Sequence, residues 1–360
     1  MAVTIGDLIR PARGAMILSG ILTAIGAVLA VVPFIALRHM AAIWLQEGDL
    51  QGWASNPWVW AVIAVVALFA SQLLYLMGLG VTHLAEAKLR HRLRGLLVEA
   101  FSRLPLGKVA QIPHGAIRKT VCDDTAAIHT LVAHVPGDVT NALVGVATGG
   151  IYLFWTDWRL ALALLGLWAL AFVVIAGTTM RGYGDIPARF GEAQTGLASA
   201  TVEMLEGIKE IKNFQATDAT RTRFSAARHR FSDLSYQWVS QSGKSISLLG
   251  ALLRPATVFA TVAILAVVFT SQGWTELSAT LPFFLLAPGL PEGVTVMIGL
   301  AQHIYESNMA AKSTAALLSE DPMPQGTFDQ GDGDAPGRVE VDDVTFAYEP
   351  DTPVLKGVSF

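Results

Sequence analysis

The chain has 360 residues, 52% of them apolar and only 15% charged, with a net charge of −4. A soluble domain carries about 25% charged residues, so an ordinary soluble enzyme is excluded, and the weak negative charge excludes a nucleic-acid binder. The single cysteine, Cys122, excludes a disulfide framework and a Cys-based zinc site.

Residues 1–13 place Ile5, Leu8 and Ile9 at helical spacing beside Arg10 and Arg13. This pattern predicts a short interfacial helix at the membrane surface. Six apolar stretches of about 20 residues follow, each long enough to cross a bilayer. They run roughly Ala15–Leu37, Trp58–Gly80, Leu131–Trp155, Trp158–Thr178, Ile246–Thr270 and Leu277–Leu300. The first is too long for a signal peptide, and no small-residue cleavage site follows it.

Twenty-two of the 25 Lys and Arg lie before the first stretch, after the last, or in the connections 81–130 and 179–245. The positive-inside rule therefore puts both termini and both long connections in the cytoplasm. The short opposite loops carry Trp53, Trp58, Trp155, Trp158 and Trp274, as an interfacial aromatic belt does.

The long connections keep helical character. Pro57 to Leu104 is a near-continuous helical stretch of 48 residues, about 72 Å long at 1.5 Å per residue. Past Gly80, Leu84, Leu89, Leu93, Leu96 and Leu97 lie on one side of it. The stretches from Asp157 past Met204, from Asp218 to Thr270 and from Leu277 to Leu318 read alike, so the helices are expected to project into the cytoplasm as a bundle. Two short segments at the turning points, His114–Thr125 and Gly207–Gln215, read as helices lying across the bundle tips. Residues 14–318 thus form one helical membrane domain.

Residues 319–337 are rich in Gly, Pro and Asp and read as a linker. From Arg338 the pattern changes. Val339, Val341, Val344 and Phe346 mark a strand interrupted at Asp342-Asp343, Glu349–Pro353 a turn, and Val354–Phe360 a second strand. Two strands cannot form a core alone, so residues 338–360 read as the edge of a soluble domain into which the polypeptide is expected to continue.

Taken together these features resemble a half-subunit of an ABC transporter of the exporter fold. The residues that carry the likeness are Glu203-Met-Leu-Glu-Gly-Ile-Lys-Glu-Ile-Lys-Asn-Phe214 with Arg223-Phe224, and the tail VEVDDVTFAYEPDTPVLKGVSF. The resemblance implies an all-α membrane domain of six long helices with cytoplasmic extensions, followed by the β-strand start of an α/β nucleotide-binding domain. It implies two coupling helices, with His114, Arg118, Asp123 and Asp124 on the first and Gly207, Ile208, Ile211 and Phe214 on the second. It implies adenine stacking on Tyr348, ATP with Mg²⁺ as energy source, a second half-transporter as partner, a small amphiphilic substrate, and a bacterial inner membrane location. The stretch Asp123–Pro136 is similar to half-transporters that import iron–siderophore complexes. Export of a lipid, peptide or drug is the alternative within the family. An ion-coupled secondary transporter, or a membrane sensor without transport, is the alternative outside it.

No catalytic residue is expected within these 360. Gly243-Lys244-Ser245 imitates a phosphate loop, but Trp238 stands where that loop needs glycine. Lys244 instead reads as snorkelling at the interface. Ionisable groups at membrane depth are functional candidates by default, which selects Arg254 and Glu292 for the transport path. Gln72, Tyr75, His83, Asn141, Gln302 and His303 are further polar candidates. Glu292 sits in Leu286-Ala-Pro-Gly-Leu-Pro-Glu-Gly293, where two prolines and two glycines are expected to break the helix. No metal site is expected: His129 and His134, near Cys122, Asp123 and Asp124, are five residues apart and fall about 140° apart around an α-helix.

Overall fold

The computed structural model describes residues 4–47, 51–112, 114–183, 185–214, 217–323, 339–349 and 352–360. Nearly all of them are helical. Four helices are long and apolar enough to cross a membrane: Ile5–Leu45, Pro57–Arg103, Gly115–Thr156 and Leu277–Leu318. Two shorter apolar helical stretches, Trp158–Val174 and Pro255–Ser271, join them. Large apolar side chains such as Val62, Phe69, Leu73 and Leu76 are exposed along one of the long helices. Water penalises such a surface and a bilayer does not.

The chain opens with α1 (Ile5–Ile9), whose first turn is closed by a reciprocal capping box between Thr4 and Asp7. Rather than resting wholly on lipid, Leu8 and the following Ala12 pack against Leu89, Leu93, Ile128, Val132, Ala311 and Ala315. α2 (Arg13–Leu29) and α3 (Val32–Leu45) divide the first predicted span at Ala30-Val31, because Pro33 lacks the N–H that would continue the ladder. α4 (Pro57–Arg103) runs 47 residues without interruption, as the sequence indicates.

After α4 the outcome differs from expectation. The short separate helix at this turn is α5 (Leu106–Gln111). His114–Thr125 instead opens one long rod made of α6 (His114–Arg118), a π-helical turn (Lys119–Asp124), α7 (Thr125–His129), a π-helical segment (Thr130–Val139) and α8 (Thr140–Thr156). His114, Arg118, Asp123 and Asp124 therefore stand at the start of the third long helical stretch. Pro105 and Leu104, both extended, end α4 before α5, whereas nothing in 114–125 stops a helix.

α9 (Trp158–Tyr183) and α10 (Ile186–Glu206) are two helices where one was expected, the second with proline in its first turn. α11 (Ile208–Phe214) is the short second-turn helix, entered through Gly207. α12 (Thr217–Leu252) and α13 (Pro255–Ser271) are likewise separate. Arg254 is extended, with φ −62° and ψ 140°, because a residue before proline is driven out of the α region. α14 (Leu277–Leu286) passes through a 3₁₀ turn, Ala287–Gly289, into α15 (Leu290–Leu318). The Pro/Gly cluster thus tightens the helix instead of breaking it.

Two apolar clusters bind these rods. One joins Leu153, Leu160, Leu164, Val258, Val262, Phe269 and Phe283 from α8, α9, α13 and α14. The other is the α1–α4–α15 cluster described above. Residues 344–349 (β1, Val344–Glu349) and 352–358 (β2, Thr352–Val358) pair antiparallel with irregular register. Asp343, at φ 45°, marks the interruption expected there. Most of the linker, 324–338, lies outside the described residues.

Packing of α2 on α4 depends on small residues. A Cβ on Gly78 would stand 2.9 Å from Thr23 Cγ2 and 3.2 Å from the Ser19 carbonyl oxygen, and one on Gly26 3.0 Å from the Ser71 carbonyl oxygen. Beside Gly80, half a turn on, there is open space. Gly78→Ala is expected to destabilise the detergent-solubilised protein by about 1–3 kcal/mol through overpacking. Gly80→Ala gains helix propensity and should stabilise it by about 0.5–1 kcal/mol. Thermal unfolding of the two variants, side by side, checks the contrast.

Across the molecule, Glu47 caps α14. Its carboxylate accepts from the N–H groups of Leu277 (3.2 Å) and Ser278 (2.9 Å). Burial pushes the Glu47 carboxyl up, but hydrogen bonds from Ser278 and Leu277, with Arg38 nearby, outweigh it and hold the group below the ordinary value. A folded-state pKa below the unfolded one stabilises above the unfolded value, and this gain vanishes as pH falls through the folded value. Melting temperature should therefore drop on acidification below about 4.5 more steeply in the natural chain than in Glu47→Gln, as scanning fluorimetry at stepped pH would read.

Candidate functional site: a polar-lipped cavity and a histidine cluster

Residues of α2, α3, α4, the π-helical segment, α8, α14 and α15 line a cavity of about 500 Å³, within the range of small-molecule sites. Its wall is mostly apolar, with Phe34, Val146, Leu286 and Leu290 among its lining. Four polar side chains interrupt that wall: Tyr75, Asp138, Asn141 and Glu292. The 3₁₀ turn at Ala287–Gly289 lies beside it, so the Pro/Gly cluster shapes one side of the cavity. Of the predicted path residues, Tyr75 and Glu292 meet here, with Asn141. Arg254 is exposed at the α12–α13 junction, and among the described residues no ion pair joins it to Glu292. Gln72 is exposed on α4 outside the cavity wall. His303 is exposed on α15, 3.7 Å from Glu306. The side chain of Gln302 lies outside the described residues.

Next to the cavity three histidines converge. His83 comes from α4, His129 from the end of α7 and His134 from the π-helical segment. Their ring centroids are 5.1, 5.1 and 5.2 Å apart, and one ring nitrogen from each lies within 4.8 Å of the others. The expectation that His129 and His134 face apart assumed an α-helix. Here the backbone is π-helical, closing i→i+5, and residues five apart come onto one face. Pro136 within the segment supplies no N–H and favours the wider turn.

Wide turns free carbonyls, and hydroxyls from neighbouring helices answer them. Thr82 Oγ1 donates to the Ala133 carbonyl oxygen (2.8 Å) and Ser307 Oγ to that of Ala127 (2.6 Å). Both hydroxyl-bearing residues are buried. Carboxylates stand behind the rings. Asp138 Oδ2 is hydrogen-bonded to His134 Nδ1 at 3.2 Å, and Asp138 Oδ1 accepts from the Tyr75 hydroxyl at 2.8 Å. Glu86, 3% exposed, lies 3.1 Å from His129 Nδ1 and 3.2 Å from Arg90 Nε. The Glu86–His129 approach is close in distance but off the hydrogen-bond axis. It is a polar contact, less well directed than the Asp138–His134 bond. The sequence reading sets His129 and His134 aside on the assumption of an α-helix and takes His83 only as a separate polar candidate; the local signal for a wider turn is Pro136 inside an apolar run.

At the other end, α5 faces the hairpin. The Tyr348 ring comes within 3.9 Å of where a Gly107 Cβ would stand, and Lys108 pairs with Glu320. The Met323 N–H donates to the Arg103 carbonyl oxygen at 2.7 Å. Tyr348 is 77% exposed and meets Phe346 edge-on at 4.9 Å. On the rod beginning at His114, Asp124 is buried and held by Lys119 at 2.5 Å, while Arg118 and Asp123 are exposed. On α11, Ile208 is 38% exposed. The side chains of His114, Ile211 and Phe214 lie outside the described residues.

Residues 16–289 match the family model described as the ABC transporter transmembrane region. The mycobactin import ATP-binding/permease protein IrtA of Mycolicibacterium thermoresistibile is 30% identical over 98% of this chain and 39% of its own length. Its counterpart in Mycobacterium tuberculosis is 28% identical over 98% and 40%. An ATP-dependent lipid A-core flippase of Aromatoleum aromaticum is 25% identical over 75% and 44%. The chain therefore spans about two fifths of the length of the import proteins it matches. With a family match across most of its helical part, the chain belongs to the ABC transporter transmembrane family.

Proposed function

We propose that this chain is the membrane part of an ATP-driven half-transporter that moves an iron–siderophore complex or similar amphiphile across a bacterial inner membrane. The observation that carries this reading is the cavity: a mostly apolar wall with a few polar groups suits a greasy ligand with an oxygen-rich head. Similarity to the mycobactin import proteins runs through the hairpin as well as the helices, whereas the flippase likeness covers three quarters of the chain. Two such halves assemble in the bilayer, each contributing six spans, with both termini cytoplasmic.

ATP with Mg²⁺ supplies the energy when bound to the soluble domain that residues 338–360 begin. In this chain Tyr348 is the residue that would stack on adenine, and its open, solvent-facing ring fits that role. α5 and α11 would carry motion of that domain to the spans. α5 already touches the hairpin, and its ion pair to Glu320 joins it to the chain after α15. In the cavity, Glu292 and Tyr75 would orient the ligand's polar head.

The histidine cluster supports a second reading, that of a metal site beside the path. Three imidazoles suit zinc or a similar divalent ion. At a zinc–nitrogen distance of about 2.0–2.1 Å the nitrogens would close to about 3.4 Å, from the 4.8 Å within which they lie here. The full-length transporter, purified without chelator, should then hold about one metal equivalent by elemental analysis. His129→Ala with His134→Ala should release it.

Transport itself is read in proteoliposomes. Ferric mycobactin should accumulate only with ATP, and absence of ATP-dependent accumulation would overturn the siderophore assignment. Glu292→Gln should lower that uptake about tenfold, the scale of one lost charge-assisted hydrogen bond. It should lower substrate-stimulated ATPase alongside. Loss of folded protein in step with activity would instead assign Glu292 a structural role.

A further inference from the structure

Asp138 is the residue common to the cavity and the histidine cluster. It lines the cavity, and its two carboxylate oxygens serve different neighbours. Oδ1 accepts from the Tyr75 hydroxyl, whose residue also lines the cavity, at 2.8 Å; Oδ2 engages His134 Nδ1 at 3.2 Å. A carboxylate on Nδ1 fixes an imidazole's tautomer and ring orientation and leaves Nε2 as the ligating nitrogen. Asp138 and His134 stand on the same π-helical segment, so a tilt of the carboxylate is passed to the ring across one turn. Glu86 approaches His129 from a different side and is absent from the cavity wall.

We infer that Asp138 is a positioning residue that couples occupancy of the cavity to the histidine cluster, through Tyr75 on one oxygen and His134 on the other. This rests on the metal reading of the cluster. A ligand whose polar head takes the Tyr75 hydroxyl, or competes for Oδ1, changes what holds the carboxylate and hence how His134 is aimed. Oxygen-rich chelate heads have the acceptors to do the first. The coupling is reciprocal: the factor by which a cavity ligand alters metal affinity is the factor by which metal alters ligand affinity.

Co²⁺ absorption spectroscopy on the full-length transporter in nanodiscs tests this, with gallium-loaded mycobactin as the cavity probe. The natural protein should bind Co²⁺ with a visible ligand-field band, and the probe should shift its affinity about fivefold or more. Asp138→Asn should weaken Co²⁺ about 10–100-fold and abolish the probe's effect. Glu86→Gln should weaken Co²⁺ but keep the probe's effect. Tyr75→Phe, which removes the hydroxyl from Asp138 as the ligand head does, should shift Co²⁺ affinity by about the factor the probe does, about fivefold or more, and lose the probe's further effect. Asp138→Asn binding Co²⁺ like the natural protein, while His134→Ala does not, would overturn the positioning role and leave the metal site standing. An equal probe effect in the natural protein and Tyr75→Phe would overturn the coupling. Absence of Co²⁺ binding to the natural protein would overturn the metal reading and this inference with it.

Discussion

The close meeting of α2, α4 and the π-helical segment is the constraint on which the rest depends. At this point every contributor is small. Ser19 and Thr23 from α2, Thr82 from α4 and Ala133 from the third rod are fully buried. A Cβ on Gly137 would stand 3.3 Å from Leu79 and 3.4 Å from Ser19. In lipid, helices gain nothing from hiding apolar surface against one another, so close backbone approach and interhelical hydrogen bonds must hold them. Thr82 provides both, since its small body fits the gap and its hydroxyl reaches the Ala133 carbonyl. Tyr75 lies about two turns before Thr82 on α4 and His83 directly after it. One packing contact therefore sets the spacing between cavity and cluster.

That contact also explains how an irregular backbone survives at this depth. Carbonyls released by a π-helical turn are costly in an apolar medium unless answered internally. Here Thr82 on α4 reaches the Ala133 carbonyl within the segment, and Ser307 on α15 reaches that of Ala127 on α7, just before it. The histidine face exists because of this irregularity: in a regular α-helix His129 and His134 would diverge, and no rotamer would bring both rings to His83.

How much of this was legible beforehand follows from which interactions are local. The uninterrupted α4, the separate α11, the Asp343 interruption and the hairpin were readable from apolar periodicity and turn residues, which act over a few positions. The junctions at Ala30-Val31 and Arg254 were marked by Pro33 and Pro255 but were submerged in long apolar runs. Tyr75, Asn141 and Glu292 were flagged because a polar group in an apolar span is expensive wherever it lies. Arg254 met the same criterion and proved to sit at a helix boundary, where the cost is avoided. The short helix Leu106–Gln111 was not anticipated, because Pro105 and Gly107 are residues that end a helix such as α4. They also admit a new short helix. The histidine cluster was the least legible, because it depends on a helix type chosen by tertiary partners as distant as Ser307.

The direction of the Asp138 carboxylate gives the arrangement its order. Tyr75 and His134 are fixed to different rods, and a rigid link between them makes their separation a property of how α4 sits against the third long helix. On the proposed function, alternating access would require such helices to shift against each other. A carboxylate that bridges two of them would feel that shift, since a hydrogen bond weakens steeply as its angle falls below about 120°. Cavity, cluster and the α5 contact with the hairpin lie along α4 and the rod it packs against. On the proposed function, a displacement begun at α5 would reach His134 and Tyr75 through α4 and the rod it packs against, which meet at small residues.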